Sequence, residues 1–458
     1  MFDHWLDILQ RGNYDLALPT LTITRGTAIH CQGSGWLTWQ QGSGLVLRAT
    51  TNGVNALFAA MADDHEVGQL LPRESFLSVS GTSQDEWCVN LTQVPLDGYH
   101  IHGPSPHVVW NLSSPGVTLS RPARRRGKNR KLHALFGPPP ETWVRGTETE
   151  VRHPDFGRRI GALDWLEATT SAGRVVVRKR TDDWCEVVVY LSEAAVTRNA
   201  FDVLNAVGRA FSFVLGRRVH LRGYEDFTPE TDIRYLYAAE IRPTRNGLYQ
   251  PLGRSDVFRT SIEPLLGLAI NFFLTERGTQ VARHMHLCWD TADNDIQTQM
   301  STASIVAEGL LLLATSRAQP PDPGFTPQDR EAASRWLREN EQTLSPRFVA
   351  RVRGLLGTLN HRRPIDVLQD WRQRSVLCVT QDDVEAWREL RNSTAHARLV
   401  EPGGNRQQFQ TRLDYLRRVL NLLNRVVLMM MGYNGQYTDY SSPGWPDCAF
   451  PLPQTGAI

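Results

Sequence analysis

The apolar residues of this chain keep one period in its first half and another in its second. From Leu16 to about Gly137 they come in short alternating runs, at 21–24, 36–39, 45–49, 76–79, 87–91 and 107–111, punctuated by Gly, Ser, Asn and Pro. A period of two sends alternate side chains to one face, so each run reads as a half-buried strand. Turn residues recur about every 8 to 12 positions, the spacing of an antiparallel sandwich or barrel. After about Ser255 the period becomes helical, over 262–273, 303–314, 328–341, 347–359, 365–375, 381–398 and 406–431, with Pro- or Gly-bearing loops between. A chain that changes period in this way is expected to fold as an α+β multidomain protein, with a β-rich N-terminal half followed by an all-α helical bundle.

Between the two lies a mixed stretch. Runs 174–179 and 185–191, separated by Arg-Thr-Asp-Asp, predict a hairpin, and 196–215 carries Phe201, Leu204, Val207, Phe211 and Val214 at helical spacing. Runs 219–224 and 235–241 read as further strands. At 458 residues the chain exceeds what one hydrophobic core organises. The expected division is a β-rich domain over 1–140, an α+β segment over 141–258 that either continues the first or stands alone, and a helical domain over 259–458. The longest helical stretch, 406–431, places Phe409, Leu413, Leu416, Leu420, Leu423 and Val427 on one stripe, as the central helix of a bundle does. The tail 432–458, rich in Gly, Pro, Tyr and Trp, is expected to pack as irregular coil.

Composition narrows the function. Hydrophobic content of 41% and charged content of 21% describe an ordinary folded chain, and a formal charge of +2 does not by itself imply a polyanion partner. Lysine occurs only at Lys128, Lys131 and Lys179, so of the 50 basic residues all but three are arginine. That skew has two readings: phosphate recognition by planar guanidinium forks, or the simpler one of a GC-rich coding sequence. The stretch 121–131 holds seven cations in eleven residues and reads as an exposed loop, either merely solvated or holding an RNA backbone. Six scattered cysteines with no C-x-x-C pair argue against a zinc site or a disulfide framework. The start lacks a basic region followed by an apolar run, and 305–314 and 426–431 fall short of the roughly 20 residues that span a bilayer. A cytoplasmic protein with reduced thiols and no membrane segment is therefore expected. His284, His286 and Cys288 alternate and would share a strand face, but lack a fourth ligand, as do His100, His102 and His107. No phosphate-binding glycine loop occurs, so neither a metal nor a cofactor is expected.

The chemistry-bearing string is 387–397, Trp-Arg-Glu-Leu-Arg-Asn-Ser-Thr-Ala-His-Ala. An Arg followed by His with four to six residues between is expected by chance about four times in this composition. Arg25 with His30, Arg126 with His133, Arg277 with His284 and Arg391 with His396 supply that number, so spacing alone says nothing. Context separates the last pair. Thr380 followed by Asp383 has the capping-box pattern, Pro402-Gly403-Gly404 ends the segment, and Asn392 directly follows the Arg. Positions four apart stack on a helix, so Arg388, Asn392 and His396 form one polar stripe with Arg391 beside it. Asn392 is placed to fix the His396 tautomer. His396 titrates near neutrality and can take a proton from a ribose 2′-OH or return one to a leaving 5′-oxygen, while Arg stabilises charge developing on the phosphate.

With the Arg-Asn-Ser-Thr-Ala-His string near the end of a penultimate helix and a long apolar helix after it, the C-terminal part resembles the HEPN superfamily of ribonucleases and its R-x4-6-H motif. The tail from Gly432 to Tyr440, after a β-rich N-terminal half, is similar to ApeA-type anti-phage proteins of abortive infection. The resemblance implies a homodimer in which two motifs meet in one composite site. It also implies metal-independent cleavage of RNA, tRNA among the candidates, leaving a 2′,3′-cyclic phosphate, and an N-terminal half that responds to a phage-derived trigger. Carried onto this sequence, Arg391 binds phosphate, His396 is the acid/base and Asn392 is the polar residue after the Arg; Arg388 joins them as a substrate-binding group from helix geometry. The other reading is a catalytically inactive HEPN-like dimerisation or binding module with a β-rich domain that senses a ligand or a phage protein.

Overall fold

The computed structural model describes residues 3–25, 29–40, 44–52, 75–95, 98–101, 107–123, 130–137, 150–153, 157–160, 165–181, 183–237, 247–253, 256–315, 327–358, 363–395 and 406–450. The chain divides into two compact units, Met1–Arg209 with Val219–Pro243, and Ala210–Arg218 with Thr244–Ile458.

In the first unit a short helix, α1 (Asp3–Arg11), precedes β1 (Asn13–Arg25), β2 (Ile29–Gln40) and β3 (Gly44–Asn52). Next come β4 (Leu77–Thr82), β5 (Cys88–Val94), β6 (Gly98–Ile101), β7 (His107–Ser114), β8 (Gly116–Pro122) and β9 (Lys131–Gly137). A separate ribbon of β10 (Glu150–His153) and β11 (Gly157–Ile160) follows. The unit ends with β12 (Trp165–Thr170), β13 (Gly173–Lys179), β14 (Cys185–Leu191), the helix α2 (Ala200–Leu215) that runs on into the second unit, β15 (His220–Phe227) and β16 (Thr231–Tyr237). Apart from the ribbon, these strands form one 14-stranded sheet in the order β12-β13-β14-β9-β15-β16-β8-β5-β4-β1-β2-β3-β7-β6. β9 lies between β14 and β15, and β8 pairs with β16, so strands from 1–140 and from 141–258 interleave in a single sheet. The expected hairpin is β13–β14, paired from Lys179 with Cys185 to Gly173 with Leu191.

The alternation read from the sequence is the alternation of burial. On β3, Leu45, Leu47, Ala49 and Thr51 point inward and Arg48, Thr50 and Asn52 outward. Trp5, Leu6 and Leu9 of α1 pack into the same core as Trp39 and Trp110, whose indole donates to Thr51 Oγ1 at 2.7 Å. Gly223 makes room for α1, since a Cβ there would fall 2.8 Å from a Leu9 methyl. Two ends of the basic stretch are not free loop cations. Arg121 lies over Trp87 at 4.1 Å and pairs with Asp232 at 3.4 Å, while Arg130 bonds Asp226 at 2.9 Å. Arg121 lies within β8 and Arg130 immediately precedes β9, and each is satisfied against a neighbouring strand; residues 124–129 lie outside the described residues.

The second unit is helical: α3 (Asp256–Phe273), α4 (Glu276–Asp290), α5 (Ile296–Thr315), α6 (Pro327–Glu339), α7 (Pro346–Thr358), α8 (Pro364–Gln373), α9 (Gln381–Ala395) and α10 (Arg406–Met431). α5 packs against α4, α8, α9 and α10, so it shares the central position expected of α10 alone. α10 is enclosed on every side from Val419 to Met429, not along one stripe, whereas Phe409 in its first turn is exposed. Segment 276–290 is a helix, not a strand. His286 therefore leaves the face that His284 and Cys288 share at four-residue spacing: Cys288 is buried and His286 lies near Trp289. The described residues hold no group of three or more potential metal ligands, and no helix among them is long and apolar enough to cross a membrane. All six cysteines are unbridged. The tail is not wholly irregular: β17 (Gln436–Thr438) pairs antiparallel with β18 (Asp447–Ala449), and Tyr433, Tyr437, Tyr440 and Phe450 are buried around it. Aromatic side chains spaced through a glycine-rich segment have enough surface to fold it back as a ribbon.

Candidate functional site

α9 is anchored at its start by a reciprocal cap. Asp383 N–H donates to Thr380 Oγ1 at 3.2 Å, and Thr380 N–H donates to Asp383 Oδ2 at 3.0 Å. This is the capping box read from the sequence, with Asp in the usual Glu position. The same carboxylate receives the Arg425 guanidinium of α10 at 2.8 Å, and Arg425 also donates to the carbonyls of Leu377 and Cys378 at 2.9 and 3.2 Å. Those carbonyls belong to a tight turn in which Ser375, Leu377 and Cys378 all take positive φ, a costly backbone for residues other than Gly. Burial works to lower the Arg425 guanidinium, but the charge and hydrogen bond of Asp383, with the charges of Tyr437 and Asp439, together hold it above its ordinary value.

Val384, Ala386, Trp387 and Leu390 form the buried face of α9. Its indole anchor, Trp387 Nε1, donates to Ser304 O on α5 at 3.3 Å. One turn further on, Arg391 Nε meets Glu308 Oε2, also at 3.3 Å. Each rung advances four residues in the same sense on both helices, so α5 and α9 run parallel here. Arg388 and Asn392 are exposed on the side away from the buried face, and Arg391 is exposed at its edge, one turn above Trp387 and beside α5. Arg388 has only Glu389 near it among the described acids, at 4.0 Å. Ser393 turns its hydroxyl back to Leu390 O at 2.8 Å, a bond within the helix.

Of the four residues expected to form the site, Arg388 and Asn392 share the solvent side of one capped helix, and Arg391 is exposed at the edge of that side, next to α5. His396 lies outside the described residues. Two permanent cations and an amide at i, i+3 and i+4 make a surface suited to a phosphodiester, which takes bidentate guanidinium contacts. Sequence reasoning missed Glu308 and Arg425. Each carries the same signal: Glu308 is the sole charged residue in α5, and Arg425 is the sole charged residue from Val419 to Met431.

The β-rich unit has a cavity of its own, about 410 Å³, bounded by Tyr14, Trp87 and Arg234 with Arg11, Asp15 and Asp85 among its charged lining. Arg234 is held from behind by the fully buried Glu225 at 2.7 Å and lies 4.6 Å from the Trp87 ring centre. Burial pushes the Tyr14 hydroxyl to about 12, with Arg234 opposing the rise and Asp85 adding to it. No family model matches the chain, and comparisons with curated proteins and with solved structures likewise return no match.

Proposed function

We propose that the chain is a metal-independent endoribonuclease of HEPN type, belonging to an ApeA-like anti-phage system. RNA, tRNA among the candidates, is cleaved by attack of its own 2′-OH, in a composite site completed by a second copy of the chain, and the β-rich half regulates it in response to a phage-derived trigger. The observation that carries this reading is the exposure of Arg388, Arg391 and Asn392 at neighbouring positions of α9, a helix fixed to α5 and α10. Arg391 and Arg388 bind the phosphate, and His396 acts as the acid/base. Purified full-length protein incubated with RNA in EDTA is expected to produce fragments ending in 2′,3′-cyclic phosphate. His396→Ala is expected to abolish those ends while melting at the wild-type temperature; undiminished cleavage by that variant overturns the reading.

A second function has its own supporting observation in the cavity beside Tyr14, Trp87 and Arg234, whose size suits a small ligand. There the helical unit is a catalytically inactive HEPN-like dimerisation or binding module and the β-rich unit senses the ligand. Wild-type protein that leaves RNA intact in every buffer and in infected cells favours this function over the first.

A further inference from the structure

Arg391 is the cation that the proposed ribonuclease presents to phosphate, yet the structure already gives it an anion. Its Nε lies 3.3 Å from Glu308 Oε2, with the two side chains 48% and 37% exposed. Such a pair contributes little to folding, at most about 1 kcal/mol, because water screens it and two long side chains must be held still. Nor is it needed to fasten the helices, since Trp387 bonds Ser304 one turn earlier and Val384, Ala386, Trp387 and Leu390 are buried. Glu308 is also the only charge that α5 carries along its whole length. A carboxylate in that place must act mainly on whatever approaches Arg391.

We infer that Glu308 competes with the RNA phosphate for Arg391, so that the resting protein binds RNA more weakly than its exposed cations allow. The inference rests on the ribonuclease reading and deepens it, making Glu308 a residue that sets substrate affinity through Arg391. A phosphate arriving at the guanidinium meets a like charge within one side-chain width. It binds only by displacing the carboxylate or by sharing the guanidinium with it. Neutralising Glu308 removes that competitor and adds one effective cation to the surface.

The test measures binding of a fluorescent oligouridylate RNA by the full-length chain in EDTA over a series of KCl concentrations. All variants carry His396→Ala so that the probe stays intact. Glu308→Gln keeps the side chain's shape and is expected to bind about fivefold tighter. Its plot of log affinity against log salt is expected to steepen by up to about 0.7, the value of one additional phosphate contact on a single strand. Glu308→Lys should extend both changes. With Arg391→Gln present, Glu308→Gln should give no gain, because the competition has lost its object. An equal gain with and without Arg391 would mean general charge repulsion, and weaker binding by Glu308→Gln would mean that Glu308 holds Arg391 in place for RNA. Either result overturns the inference while leaving the ribonuclease reading intact. Failure of every protein to bind RNA overturns both.

Discussion

Arg425 and Asp383 form an ion pair 2.8 Å apart with side chains 5% and 2% exposed, and the same carboxylate closes the N-terminus of the helix that carries Arg388, Arg391 and Asn392. A buried charge left without its partner is far more costly than the pair is stabilising. Arg425→Met and Asp383→Asn are each expected to lower unfolding stability by about 3–5 kcal/mol. The double variant should cost much less than the two single losses added together, since neither charge is then stranded. Urea unfolding followed by helical circular dichroism measures all three, and strict additivity would falsify the role given to the pair.

In the β-rich unit, His133 and Glu186 form a second buried pair. Burial acts to raise the Glu186 carboxyl, but the hydrogen bond from His133, the His133 charge and the charges of Arg180 and Arg178 together hold it below its ordinary value. A folded-state value below the unfolded one means stability that is fully present above the unfolded carboxylate range, and that drains away as pH falls through the folded value. Glu186→Gln should therefore cost most near neutrality and least at a pH below the folded value of that carboxyl. Thermal midpoints of the two proteins that stay equally far apart down to that pH would remove Glu186 as a source of the acid sensitivity.

Much of this could be read from residue order, because the two periods of the hydrophobic pattern are local properties. Runs such as 45–49 and 174–179 lie inside strands, and 381–398 covers all of α9. The reading failed where partners come from far along the chain. Strand β9 sits between β14 and β15, a pairing that no local pattern records. Segment 276–290, by contrast, is helical for a local reason, since Val281, Met285 and Trp289 recur at helical spacing and are buried. In α10 the stripe was legible, but Asn421, Asn424 and Arg425 are enclosed with it. Each has a distant partner: Asp439 at 2.6 Å, Tyr249 O at 2.9 Å and Asp383 at 2.8 Å. The candidate site follows the same division. Its exposed cations could be placed by helix geometry alone, whereas the Glu308 carboxylate beside Arg391 comes from α5.

Gly309, next to Glu308, is held to glycine by the helix it faces. A Cβ there would fall 2.5 Å from His284 Nδ1 on α4. Gly309→Ala should push the imidazole out of place at a cost of about 1–3 kcal/mol despite the better helix propensity of alanine. Adding His284→Ala should recover most of that loss, as the measured urea midpoints of the single and double variants will show. A Gly309→Ala protein as stable as the wild type would mean that α4 and α5 pack less closely at this point.

Arg388 and Arg391 differ in one respect that makes their roles separable. Arg391 shares its guanidinium with Glu308, while Arg388 has its nearest described carboxylate at 4.0 Å and is 58% exposed. A guanidinium with that freedom reaches phosphate without first giving up a partner. Arg388→Gln should therefore weaken RNA binding by a similar factor across unrelated sequences and flatten the salt dependence by about 0.7, with no change in where the RNA is cut. It should have no measurable effect on stability, because an exposed cation without a close acid contributes little to the fold. If Arg388→Gln instead moves the cleavage sites at unchanged affinity, the residue reads bases, not the backbone, and the phosphate role belongs to Arg391 alone.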